Sequence, residues 1–146
     1  MSHVSGLFTR RGYNIDSIAV GVTHEPGVSV ITIVLRGDEQ TLTQFQGQLL
    51  KLADVIEVRA LPYHDSVIRE LVLIRVSCKQ PDRTQIFGIV EVFQGRIQEI
   101  MPESILIEMQ GSPRQVGSLM TMLEPFGILE VARTGQIALP LETEIG

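Results

Sequence analysis

One cysteine, no tryptophan and an aromatic content of 5% are the scarcities of this 146-residue chain. The single thiol, Cys78, excludes an intramolecular disulfide framework and fits a reducing, cytoplasmic compartment. Scarce aromatics, with no Lys/Arg-Gly-Phe run, remove the stacking platform on which a β-sheet binds single-stranded RNA. Only two of the 12 basic residues are lysines, the arginines are scattered, and 17 acidic side chains bring the net charge to −5. Phosphate contacts need clustered cations, so nucleic acid is excluded as a partner. Long apolar runs are missing too. The best, residues 28–35, is interrupted by Ser29 and Thr32, against ~20 residues for a membrane span. The first residues, Met-Ser-His, reach Arg10-Arg11 without a continuous apolar core, so neither a secretory signal nor a membrane role is expected.

What is present points to a folded chain. Hydrophobic residues make up 44%, charged residues 20%, and mean hydropathy is +0.21. Disorder is excluded, and the length suits one ordinary domain or two small ones. Some apolar surface is left over for a partner.

Spacing marks the helices. Leu42, Phe45, Leu49 and Leu52 recur on one helical face, with Asp38 as N-cap. Ile86, Ile89, Val90 and Phe93 do the same, opened by Asp82 with Gln85 three residues on and closed by Gly95. Val116, Leu119, Met120 and Leu123 form a third, and Ser112-Pro113-Arg114-Gln115 supplies an N-cap, a first-turn proline and a capping-box glutamine. A short helix carrying Val4, Leu7 and Phe8 stops at Gly12. Strands rich in β-branched residues lie between. Ile18, Val20 and Val22 alternate with small residues, and Glu25-Pro26-Gly27 turns the chain into residues 28–35 as a hairpin. Further strands are expected at residues 55–61, 71–78, 96–101, 104–110 and 128–133. In residues 28–35 both faces are apolar, one to pack on helices and the other on a second sheet or subunit.

The order α-β-β-α-β, then β-α-β-β-α-β, is an internal repeat. Val30 to Gly37, a helix and Ile56-Glu57-Val58-Arg59-Ala60 match Ile105 to Gly111, a helix and Leu129-Glu130-Val131-Ala132-Arg133. The economical reading is an α+β chain of two tandem ferredoxin-like (βαββαβ) domains: residues 1–62, a connector over 63–68, and residues 69–146. The first copy lacks the strand that opens the second. That strand is central in the βαββαβ sheet, so its loss leaves two neighbouring strands without a partner.

Catalytic constellations are not found. There is no phosphate-binding glycine loop, no GxSxG and no CxxC. His3, His24 and His64 lack metal-ligand spacing, and His64-Asp65 reads as a solvated turn. Cys78 ends an alternating strand and reads as a buried, inert thiol. Asp38-Glu39 suits a helix N-terminus, and Met101, Met109, Met120 and Met122 read as core filler.

The specific segment is Gly6-Leu7-Phe8-Thr9-Arg10-Arg11-Gly12-Tyr13-Asn14-Ile15-Asp16-Ser17-Ile18. With Gly37-Asp38-Glu39, Asp54-Val55, Phe93-Gln94-Gly95-Arg96-Ile97 and Val131-Ala132-Arg133-Thr134-Gly135, the chain resembles the small regulatory subunits of acetolactate synthase, also called acetohydroxyacid synthase. The resemblance covers essentially the whole chain. It implies an N-terminal ACT domain, here without its usual first strand and the Asn/Gly loop after it, and a second ferredoxin-like domain. It implies a branched-chain amino-acid effector, commonly valine, held between the ACT domains of a homodimer. It also implies docking on a catalytic subunit that would carry thiamine diphosphate, Mg and FAD, with no cofactor, metal or catalytic residue in this chain. By similarity Asn14, on a helix-to-strand turn, lines the effector site; Gly12 permits the turn, and Tyr13 and Ile15 stand beside it. The alternative is a free-standing amino-acid-sensing module serving another enzyme. A small self-sufficient enzyme would need a convergent polar pocket that these residues do not assemble.

Overall fold

The computed structural model describes residues 12–142, and the expected helix around Val4, Leu7 and Phe8 lies outside them. The described elements are β1 (Asn14–Val22), β2 (Ser29–Arg36), α1 (Glu39–Leu50), β3 (Ser66–Ser77), α2 (Arg83–Val92), β4 (Arg96–Ile100), β5 (Ser104–Gly111), α3 (Pro113–Leu123), β6 (Ile128–Arg133) and β7 (Ile137–Pro140). The chain divides into two units, Met1–Ser66 with Ala138–Gly146, and Val67–Ile137.

In the second unit the sheet runs β4-β5-β3-β6. Alternation along β3 and β5 puts Val72, Ile74 and Val76 directly across from Met109, Ile107 and Ile105. Successive strand residues point to opposite faces, so these six form one apolar face. Ile86, Ile89 and Val90 of α2 and Val116, Leu119 and Leu123 of α3 close the core over it. The helix α3 opens as its sequence requires. Ser112 Oγ accepts from the Gln115 backbone N–H, and the Gln115 side chain accepts from the Ser112 N–H. The far end of β6 is fixed to β3 by side chains: Arg133 donates twice to the buried Glu70 carboxylate, and Thr134 exchanges bonds with Leu71.

Two details depart from expectation. Asp82 stands at the start of α2 but makes no side-chain cap, because the preceding Gln80–Asp82 turn already has helical backbone there. At the other end the residue with left-handed backbone is Gln94 (φ 57°), not Gly95. Gln94 N–H bonds Glu91 O and Gly95 N–H bonds Val90 O, the paired bonds of a Schellman ending. Gly95 is needed for proximity instead, since a Cβ there would lie 3.2 Å from Glu108 O and from Val90 Cγ1. Of the four methionines expected as filler, Met109 is buried and Met120 packs on the core, but Met101 and Met122 are about half exposed. β7 had no counterpart in the sequence reading.

In the first unit β1 and β2 form the expected hairpin, closed where Thr23 N–H bonds Val28 O and Val28 N–H bonds Glu25 O. The ladder shifts between Ile15 and Ser17, so Asp16 is an extra, bulged residue. Ile15 and Ile18 therefore both sit on the face of Ile31, Ile33 and Leu35. The helix α1 covers part of that face. Phe45 and Leu49 are buried, with Tyr13, Ile15, Ile33, Leu35, Leu52 and Val58 packed around them. Asp38 caps α1, its Oδ1 accepting from Thr41 N–H at 2.8 Å. That bond holds the Asp38 carboxyl below its ordinary value. Residues 55–61 form no strand, contrary to the repeat. Their counterpart, β6, pairs only with β3, and the first unit has no equivalent of β3 among the described residues.

Candidate functional site

The four residues expected around an effector are adjacent in sequence, and the backbone separates their roles. Gly12 adopts φ 68°, a left-handed conformation that glycine enters without a Cβ clash, and so permits the turn into β1. Tyr13 packs edge-to-face on Phe45, with ring centroids 4.8 Å apart. Ile15 belongs to the same apolar cluster, which makes it a packing residue of this unit. Asn14 lies on neither the helix-covered face nor a turn. It is the first residue of β1, exposed, and directly opposite Arg36 of β2.

Two accessible features flank this stretch. An open cavity of ≈ 410 Å³ is lined by Tyr13, Gln44, Gly47, Gln48 and Lys51. Gln44, Gln48 and Lys51 follow each other at helical spacing along the end of α1, and a Cβ at Gly47 would meet nothing within 4 Å. On the hairpin, Arg36 Nη2 lies 3.0 Å from Asp16 Oδ1, and Arg36 Nε donates to Asp16 Oδ2 at 3.4 Å. Sequence reasoning passed over Arg36 and Asp16. Counting outward from the Glu25-Pro26-Gly27 turn in regular register would have set Asn14 against Gly37; the bulge at Asp16, invisible to alternation, sets it against Arg36 instead. The lining glutamines carried no signal beyond a polar helix face.

Elsewhere the chemistry is structural. Cys78 is fully buried, and burial pushes its thiol up, with nearby Arg83 pulling the other way. Arg83 Nη2 holds the turn after β4 through Met101 O at 2.8 Å and Pro102 O at 3.0 Å. Among the described residues no group of three or more His, Cys, Asp or Glu is placed to hold a metal ion. No helix among them is long and apolar enough to cross a membrane.

Two units, a four-stranded sheet under two helices and a smaller hairpin under one, make an α+β chain of two domains. The family models are specific on both halves. Residues 1–57 match the acetohydroxyacid synthase small subunit-like ACT domain, and residues 69–142 match the small subunit of acetolactate synthase. This chain belongs to the acetolactate synthase small subunit family. A probable acetolactate synthase small subunit from Methanothermobacter thermautotrophicus is 40% identical over 140 residues, 95% of this chain and 83% of that protein. The chloroplastic acetolactate synthase small subunit 1 of Nicotiana plumbaginifolia is 41% identical over 142 residues, 97% of this chain but 31% of its own length. The crystal structure of the acetolactate synthase small subunit from Thermotoga maritima superposes with a TM-score of 0.88 at 36% identity, covering 99% of this chain and 90% of that one. The α+β architecture of tandem ferredoxin-like domains, the first of them ACT, is thus that of the family.

Proposed function

We propose that this chain is the regulatory subunit of acetolactate synthase in branched-chain amino-acid biosynthesis. It binds and activates the catalytic subunit and confers feedback inhibition by a branched-chain amino acid such as valine. The observation that carries the reading is the match of both halves, residues 1–57 and 69–142, to small-subunit domains. The transferase chemistry, with thiamine diphosphate, Mg and FAD, belongs to the catalytic partner, and this chain contributes no cofactor. It works as a homodimer in the cytoplasm.

The effector site includes Asn14, with Gly12 shaping the approach and Tyr13 forming a wall. Ile15 supports them from the apolar cluster. A free amino acid needs donors for its carboxylate, acceptors for its ammonium and an apolar slot for its side chain. Regulation is linkage: an effector that binds one arrangement of the dimer better shifts the catalytic subunit by ~1–3 kcal/mol. The test is to mix the chain with its catalytic subunit and assay acetolactate formation with and without valine. Activity is expected to rise on mixing and to fall when valine is added. Unchanged activity in both conditions overturns the reading.

A further inference from the structure

We infer that the Arg36–Asp16 ion pair beside Asn14 is the anchor for the charged head group of a free α-amino acid, an inference that rests on the effector reading above. Asn14 and Arg36 are directly opposite in the ladder, so their side chains leave the hairpin on one face. Asp16 is the bulged residue, and a bulge re-aims the side chain it carries. Here it brings a carboxylate onto the guanidinium in a forked pair, at 3.0 Å and 3.4 Å. The side chains of Arg36 and Asp16 remain 74% and 39% exposed. An ion pair so exposed adds little to stability, which leaves its arrangement beside Asn14 free for another use.

The unused valences fit a zwitterion. Arginine has five N–H donors, of which Nε and one on Nη2 are turned to Asp16. The remaining donors suit a ligand carboxylate, for which a guanidinium fork is the matching shape. Each Asp16 oxygen accepts one bond from Arg36 and keeps a lone pair for a ligand ammonium. Asn14 faces Arg36 across the ladder. A zwitterion set here closes a ring of alternating charge without breaking the existing pair. An amine or an acid with the same side chain satisfies only half of it, so the pair also selects amino acids over their decarboxylated or deaminated analogues.

The test is calorimetric titration of the full chain with valine, isobutylamine and 3-methylbutanoate, repeated on Asp16→Asn, Arg36→Gln and the charge-swapped double variant Asp16→Arg/Arg36→Asp. The unmodified chain is expected to bind valine and to bind each analogue at least tenfold more weakly. Either single variant should weaken valine at least tenfold. The swap keeps an ion pair, and with it the melting temperature, but should not restore valine affinity. Valine affinity within twofold of the unmodified chain in both single variants overturns the inference and leaves the effector reading intact. Failure of the unmodified chain to bind valine overturns both.

Discussion

In the second unit the twelve-residue β3 lies between β5 and β6, and the core holds thirteen buried side chains. In the first unit the described sheet is the hairpin alone, and the core cluster has two buried side chains, Phe45 and Leu49, with six others partly covered. Both units come from one repeated pattern, so the difference isolates what a central strand does. Glu130-Val131-Ala132 pairs with β3 and is a strand. Val55-Ile56-Glu57-Val58, of similar composition, has no such neighbour among the described residues and is not, and its Ile56 is 81% exposed. Strand preference describes fitness for a pleated, half-buried surface, and without that surface it has no force.

The contrast can be broken or sharpened by mutation. The largest effect is expected from Phe45→Ala. Phenylalanine truncation in a core costs about 3–5 kcal/mol, and a cluster with two buried residues has no reserve to absorb it. Amide hydrogen exchange should show protection lost throughout β1, β2 and α1 and kept in β3 and β5. Leu119→Ala in the second unit should cost about 2–5 kcal/mol by chemical denaturation, yet leave that unit folded. If Leu119→Ala removes protection from the first unit as well, the units are not independent and the comparison fails.

Smaller effects test the α2 ending. Gly95→Ala pushes a methyl to 3.2 Å from Glu108 O, so destabilisation of about 1–3 kcal/mol is expected in the same denaturation assay. Gln94→Gly should go the other way by about 0.5–1 kcal/mol, because glycine enters the left-handed region without a Cβ clash. The smallest effect is the α1 cap. The folded Asp38 carboxyl is depressed below its ordinary 3.8, so its contribution is present above that value and lost as pH falls through the folded one. Asp38→Ala should therefore lower the melting temperature at neutral pH and make no difference in strong acid.

Legibility followed locality. The Ser112 capping box and the Glu25-Pro26-Gly27 turn were readable because a few neighbouring residues decide them. Residues 55–61 were misread because their state depends on a strand far away in sequence. The four candidate effector positions came from family resemblance alone, and nothing local separates Tyr13, which packs on Phe45, from Asn14, which begins β1 exposed. Arg36 and Asp16 were missed because their meeting requires both the hairpin register and the bulge. The segment Val131 to Gly135 was read as a family signature, and in the fold its Arg133 and Thr134 fasten β6 to Glu70 and Leu71.

The extra residue in β1 has a bearing on redesign. To an engineer tidying the hairpin into regular alternation, Asp16 is the residue to delete. Deletion would remove the bulge and leave both faces as they are, because Ile15 already pairs with Leu35 and Ser17 with the next residue, Val34. Ile15 would stay beside Leu35 on the α1 side and Asn14 opposite Arg36, but the Asp16 carboxylate and its pair with Arg36 would be gone. The irregularity adds an exposed carboxylate to the strand without moving the residues that pack toward α1.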